Sequence, residues 1–259
     1  MSKKEKLSLY PDILFHFTEK KWLYEILRTT FKVSYAREKI IGLENEREFA
    51  VPMVSFCDLK LSELKVFTKN YGNFGIGLTK EWANRNGLSP VMYVNRHCEL
   101  MDNLITGLNG VYSHLNKIND LEKFKNLNTS YLNIMNTYRY VKNYEGELIR
   151  GGITEDKNYR FADEREWRYV PSLENEGIQP FVAISKIRTS KQKAEYNEKV
   201  SHLRLSFQPD DIKYLIVETD NDITELIRHL QTVKGRFDPE TRSRLSSRIL
   251  TIEQINKDI

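Results

Sequence analysis

Between Asn70 and Leu78 three glycines, Gly72, Gly75 and Gly77, alternate with apolar and aromatic residues, and this segment limits the architecture more than any other. Glycine lacks a Cβ and costs backbone entropy when ordered, so inside an apolar segment it marks a place where another backbone comes close. A tight approach is therefore predicted at Tyr71-Gly72-Asn73-Phe74-Gly75. The next residues, Thr79-Lys80-Glu81-Trp82-Ala83, start a helix that ends at Asn86-Gly87.

The rest of the chain alternates strand and helix signals. Ile13-Leu14-Phe15-His16-Phe17 is a short apolar run behind Pro11-Asp12 and is predicted as a strand. Trp22, Leu23, Ile26 and Leu27 then recur at helical spacing, which makes Thr18 the expected N-cap. Val51–Cys57 is a second strand, a helix starts at Leu61, and Pro90–Val94 is a third strand. From about 99 to 143 the pattern is helical, with Leu100, Leu104, Leu108, Val111 and Leu115 on one face, and we expect a helical insertion there. Strand signals resume at 165–170, 181–184, 203–207 and 212–217. They are followed by a helix over 223–233 and a last one over about 238–256, opened by Asp238-Pro239-Glu240. The expectation is a single domain over 1–259.

Composition excludes several classes. Hydrophobic residues make up 40% and charged residues 29%, which fits a folded soluble chain rather than a disordered or membrane-embedded one. No run reaches the roughly 18 apolar residues that span a bilayer, and Met1-Ser2-Lys3-Lys4 leads into no secretion segment, so the expected address is cytoplasmic, with no membrane contact. Cys57 and Cys98 stand alone, which excludes a disulfide framework; no His pair or Cys/His repeat offers a metal site. There is no P-loop, Rossmann glycine fingerprint or Ser/His nucleophile motif. The formal charge of +4 tolerates a polyanionic partner without demanding one.

Three segments carry a resemblance. Phe15-His16-Phe17-Thr18, Pro52-Met53-Val54-Ser55-Phe56-Cys57-Asp58 and Tyr71-Gly72-Asn73-Phe74-Gly75-Ile76-Gly77-Leu78-Thr79-Lys80-Glu81-Trp82 together resemble the AbiGi family of abortive-infection, phage-resistance proteins. Asp163-Glu164-Arg165-Glu166-Trp167-Arg168 is similar to the acidic-aromatic-basic strand of ADP-ribosyltransferase-like bacterial domains. That broader likeness implies an α+β fold: an ADP-ribosyltransferase-like split mixed β-sheet core with N-terminal helices and a helical insertion. It also implies a layout of His16, then Ser55 and Tyr71, then Glu166, with NAD as substrate. Cleaving the nicotinamide–ribose bond develops oxocarbenium-like charge, so a carboxylate beside the ribose would stabilise it. By the resemblance Glu166 is the catalytic acid, with Glu164 as the other candidate. His16 would hold a ribose hydroxyl, Thr18 the carboxamide, and Tyr71 would stack on the nicotinamide ring, with Gly72 and Gly75 admitting the ligand. The implied activity is ADP-ribose transfer to a nucleic acid or protein, or NAD hydrolysis, in an antiphage toxin–antitoxin setting.

Each residue also has a purely architectural reading. His16 beside two phenylalanines suits a hydrogen-bonded strand residue, Thr18 a helix cap, and Tyr71-Gly72 a turn. Strand alternation puts Glu164 and Glu166 on one face, where Glu166 can pair with Arg168 on an exposed surface. Arg236, Arg242, Arg244 and Arg248 near the C-terminus, and Arg150, Arg160, Arg165 and Arg168 around the acidic strand, would grip phosphates or decorate the surface. On these readings the chain is a non-enzymatic regulatory or neutralising member of a two-gene defence pair. It would then bind its partner protein, or nucleic acid, through the helical insertion and the basic C-terminus, whereas the enzyme reading implies an antitoxin or cognate defence protein as the partner.

Overall fold

The computed structural model describes residues 11–65, 71–150, 153–173, 178–233 and 237–258; Asn70 and Arg236 lie outside them. The glycine-bearing segment forms β5 (Phe74–Thr79), which pairs antiparallel with β1 (Ile13–Thr18) over six residues. The register sets Phe17 opposite Gly75 and Phe15 opposite Gly77. A Cβ at Gly75 would stand 2.9 Å from the Phe17 ring, and one at Gly77 2.9 Å from the Phe15 ring. The glycines thus clear a floor on which the two phenylalanine rings lie, stacked 5.9 Å apart.

Around this pair the chain builds a mixed sheet. The remaining strands, in chain order, are β2 (Phe31–Lys32), β3 (Ser34–Ile41), β4 (Glu46–Cys57), β6 (Ser89–Pro90), β7 (Met92–Val94), β8 (Val141–Asn143), β9 (Gly146–Arg150), β10 (Ile153–Tyr159), β11 (Glu166–Tyr169), β12 (Val182–Ala183), β13 (Arg204–Leu205), β14 (Ile212–Val217) and β15 (Ile249–Thr251). The main sheet runs β15-β14-β5-β1-β4-β11-β6, with β3 and β12 also on β4. Among the described residues, only β14–β15 is parallel within it. The seam between β1 and β4 is a single register pair, Phe15 with Cys57, so the long strand β4 leaves β1 and finds β3 instead.

The helices are α1 (Lys20–Arg28), α2 (Lys80–Arg85), α3 (Leu100–Leu115), α4 (Leu121–Tyr138), α5 (Ser190–Lys199), α6 (Asp220–Thr232), α7 (Pro239–Ser246) and α8 (Ile252–Asp258). On one face of the sheet, α1 buries Leu23, Ile26 and Leu27 with Leu14, Phe56, Ile76 and Trp82; each such side chain contributes about 1.5–3 kcal/mol. On the other face Phe15, Phe17 and Cys57 pack with Leu64, Ile216 and Ile255. A third cluster joins α3 and α4 to β3 and β4 through Met101, Ile105, Tyr138, Ile40 and Phe49. Among the described residues no helix is long and apolar enough to cross a membrane.

Several expectations are corrected. Thr18 does not cap α1, because β1 continues through it to pair with Phe74; the cap position passes to Glu19, which makes no side-chain cap bond. The expected C-terminal helix over 238–256 is two helices, α7 and α8, divided by β15, since Ile249–Thr251 lies alongside β14. The insertion is an α3–α4 hairpin that ends by residue 138, and residues 141–143 form β8 beside β7. No strand was expected over 34–41, yet β3 pairs with β4 over eight residues.

Gly72 has φ +100°, and a Cβ there would lie 2.5 Å from the Thr18 carbonyl oxygen; Gly87 also has positive φ (+68°) but open space around it. Gly87→Ala is therefore expected to cost about 1 kcal/mol, the left-handed strain alone. Gly72→Ala adds a backbone clash and is expected to cost about 2–3 kcal/mol more, read from urea midpoints of the two variants. Equal losses would contradict this account.

Candidate functional site

Where β4 passes from β1 to β11, polar side chains collect in the interior. Residues directly opposite in an antiparallel pair share a face. Glu166 faces Cys57 and Arg168 faces Ser55, so Ser55, Cys57, Glu166 and Arg168 point to one side of the sheet, while Phe56 and Trp167 point to the other. Phe15 is opposite Cys57 and shares its side. His16 is thereby turned to the opposite side, where its ring lies edge-on to Phe31 at 5.2 Å and near Phe56 at 5.5 Å.

Glu166 is 5% exposed and its carboxylate is fully engaged. Oε1 accepts from Ser55 Oγ at 2.7 Å and Arg168 Nε at 2.7 Å; Oε2 accepts from Lys142 Nζ at 2.9 Å and Arg168 Nη2 at 3.1 Å. Its backbone N–H donates to the Tyr93 hydroxyl at 2.8 Å. Arg168, with no exposed surface, also donates to Glu38 Oε1 at 2.8 Å and to the Arg139 carbonyl at 2.9 Å. Lys142 donates a further bond to Glu164 Oε2 at 3.0 Å, and Glu164 Oε1 accepts from the Tyr71 hydroxyl. Five ionisable groups, three carboxylates and two cations, form one buried chain: Glu38, Arg168, Glu166, Lys142, Glu164.

The charges settle accordingly. Burial alone would raise the Glu166 pKa, but the neighbouring Arg168 and Lys142 charges and their hydrogen bonds outweigh it and hold the carboxyl well below the usual range. Burial would likewise lower Lys142, and the three carboxylates around it push it well above the ordinary lysine value instead. Glu38 goes the other way: burial, helped by the Glu166 charge, outweighs the attraction of Arg168 and Lys142 and raises its pKa. Burial lowers His16, offset in part by its bond to the Ser55 carbonyl. That 2.8 Å bond is made by Nδ1, which must carry the proton because a carbonyl only accepts.

Glu164 and Glu166 do converge, though not by strand alternation. Glu164 ends a short 3-10 turn (Phe161–Glu164), and Arg165 follows with φ +45°. This left-handed residue swings both glutamates toward Lys142, while the Arg165 guanidinium pairs with Glu63. The expected Glu166–Arg168 pair is made, but buried rather than exposed.

Beside the cluster opens a groove of ≈ 920 Å³ between β3, β8, β9 and the start of α5, walled by Tyr35, Glu38, Lys142, Phe161, Arg188 and Lys193 among others. Of the residues named from sequence, Tyr71 lies on its wall, and its hydroxyl is spent on Glu164. Thr18 ends β1, where its carbonyl packs on Gly72. The structure thus brings Ser55, Tyr71, Glu164 and Glu166 into one network and leaves His16 behind the sheet, touching that network only through the Ser55 backbone. The C-terminal arginines are used internally in part: Arg244 pairs with Asp210 and Arg248 donates to the Ile212 carbonyl.

Lys142, Glu38 and Tyr93 were missed from the sequence. Lys142 sits on a three-residue strand at the tail of a helical stretch, too short to show a period of two. Glu38 lies on β3, whose Arg-Glu-Lys centre hides its alternation.

Comparison with known proteins gives one family. A family model described as "Putative abortive phage resistance protein AbiGi, antitoxin" matches residues 29–218. The abortive phage resistance protein AbiGi of Lactococcus lactis subsp. cremoris is 27% identical over 229 residues, covering 82% of this chain and 90% of that protein. No solved structure matches.

Glu166→Gln leaves Arg168 and Lys142 short of a buried counter-charge and is expected to cost roughly 3–5 kcal/mol at pH 7. Because the folded-state pKa of Glu166 is depressed, its contribution is present above the unfolded value of about 4.3 and is lost as pH falls below it. The difference between wild type and variant in urea midpoint should therefore narrow below about pH 4.3. A difference that stays constant to pH 2.5 would contradict the assignment.

Proposed function

The chain belongs to the AbiGi family, and from that premise we propose that it is the neutralising component of an abortive phage-resistance pair, acting in the cytoplasm by binding its cognate effector protein. The observation that carries this reading is the state of Glu166. A carboxylate that stabilises a developing oxocarbenium charge needs an oxygen turned toward the substrate. Both Glu166 oxygens accept two bonds each from within the protein, and the groove wall does not include it. His16, the proposed ribose ligand, packs among Phe31 and Phe56 on the other face. These groups have the chemistry of a rigid tie between strands.

A second reading keeps the chain as an NAD-dependent ADP-ribosyltransferase-like enzyme on an ADP-ribosyltransferase-like split sheet, with a nucleic acid favoured over a protein as acceptor. What favours it is the adjacency of β1, β4 and β11, which carry His16, Ser55 and Glu166 in the order the resemblance implies, across a one-pair seam. In this reading Glu166 exchanges Lys142 for the substrate when NAD enters the groove.

The two readings part in one experiment. The purified chain is incubated with nicotinamide-labelled NAD and cell extract, and in parallel the chain is co-expressed with its cognate effector. The neutralising reading expects no nicotinamide release above buffer and full rescue of growth, retained by His16→Ala provided that the variant stays folded. Nicotinamide release that Glu166→Gln abolishes, with growth rescue absent, would overturn it in favour of the enzyme.

A further inference from the structure

The outer edge of β3 is capped at both ends and open in the middle. β3 and β4 form a hairpin closed by the Gly42 N–H, which donates to the Asn45 carbonyl at 2.8 Å, and from that pair onward the antiparallel bonding alternates. Glu38 and Ile40 turn their backbone groups to β4; Tyr35, Arg37, Lys39 and Ile41 turn theirs away from it. Three observations agree with this. Asn143 bonds both the N–H and the carbonyl of Ile41, at 2.8 and 2.9 Å. Asn197 accepts from the Tyr35 N–H at 2.8 Å. The β4 residue opposite Tyr35 is Pro52, which has no N–H to give. Arg37 and Lys39 lie between these caps, and among the described residues their N–H and carbonyl groups meet no partner.

This open stretch faces the groove of ≈ 920 Å³. Arg37, Glu38 and Lys39 all line it, and so do the consecutive residues of β9 from Gly146 to Ile149. A strand that shows a face to a cavity contributes every second residue, because its side chains alternate; consecutive residues mean that the cavity runs along the strand's edge. Among the described residues β9 pairs with β10 alone, so two strand edges border one groove. The walls carry five cations, Arg37, Lys39, Lys142, Arg188 and Lys193, against three glutamates. Arg37 pairs with Glu48 and Lys39 with Glu46, but among the described residues no carboxylate pairs with Arg188 or Lys193. Ile41, Leu148 and Phe161 add apolar surface.

We infer that an extended segment of the cognate effector, bearing acidic side chains, adds to the edge of β3 as an extra strand within this groove. The inference deepens the neutralising reading and rests on it for the partner, while the place comes from the strand edge alone. Donors and acceptors alternate along that edge: the N–H and carbonyl of Arg37, then the N–H and carbonyl of Lys39. Another peptide backbone offers the matching alternation. A nucleic-acid backbone offers phosphate acceptors, which leave both carbonyls facing negative charge. In strand addition the backbone bonds supply affinity and the side-chain contacts supply specificity. Arg188 and Lys193 favour acids on the incoming strand, and the Arg37 and Lys39 side chains guard the same edge against indiscriminate pairing.

Amide hydrogen exchange of the full chain, alone and with the purified cognate effector, tests it. In the unbound chain the Arg37 and Lys39 amides are expected to exchange at least about tenfold faster than those of Glu38 and Ile40, which point to β4. The effector is expected to slow them to the level of these neighbours. Lys39→Pro removes an outward N–H without touching a β3–β4 bond. It should keep the far-ultraviolet circular dichroism spectrum and weaken effector binding by at least about tenfold. Arg188→Glu together with Lys193→Glu should weaken binding similarly, and this variant decides the matter if Lys39→Pro does not fold. Effector binding that leaves the two amides unprotected and the variants at wild-type affinity would overturn the inference and leave the neutralising reading standing. A wild-type chain that binds no effector would overturn both. Protection that grows with the chain's own concentration, or that a single-stranded oligonucleotide brings, would overturn the inference by assigning the edge to a second copy or to a nucleic acid.

Discussion

The buried contact between Lys142 and Glu166 organises the interior of this protein, because it ties the exit of the helical insertion to the middle of the sheet. Lys142 sits on β8, directly after α4, and Glu166 begins β11, which pairs with β4. Arg168 extends the tie to β3 through Glu38 and to the end of α4 through the Arg139 carbonyl. Asn143 completes it by exchanging two amide bonds with the Ile41 backbone, at 2.8 and 2.9 Å, in the manner of a paired strand. Taking such charges out of water costs several kcal/mol each, and only a closed set of partners offsets it. Closure is what the cluster has: each of the four bonds to Glu166 comes from a different N–H or O–H group, and none is left for a ligand.

Which parts of this were legible in the sequence follows from physical range. β1, β14 and the helices α1, α2 and α6 came from periodicity and end signals confined to ten or fifteen residues, and those interactions are local. The alternating glycines predicted close approach, and the structure supplies the reason, two phenylalanine rings of β1 lying across β5. The Thr18 cap failed by one residue because sheet pairing outlasted the helical preference. β3 and β8 were invisible because their reasons for being strands are distant: β3 exists as the partner of β4, and Asn143 holds β8 to Ile41.

The candidate site shows the same division. The order His16, Ser55, Tyr71, Glu166 along the chain survives as adjacency in space, since β1, β4 and β11 are neighbours. What order along a chain does not encode is the face. One residue of register separates Phe15 from His16, and that single step sends His16 into the aromatic core behind the sheet. Charge partners are hidden in the same way, because Lys142 and Glu38 come to Glu166 from 24 and 128 positions away. A glutamate before an aromatic and an arginine has the same appearance in a catalytic strand and in a structural ion cluster, and the difference lies wholly in what it touches.

The central claim is that Glu166 is held by Lys142 and Arg168 as part of the fold rather than held ready for a substrate. A double-mutant cycle with Lys142→Met and Glu166→Gln measures this most directly, by urea unfolding at pH 7. The account predicts strong coupling: the double variant loses less stability than the sum of the single losses by about 2–3 kcal/mol, because each single change strands a buried charge that the double change removes. Additive losses, within about 0.5 kcal/mol, would contradict it.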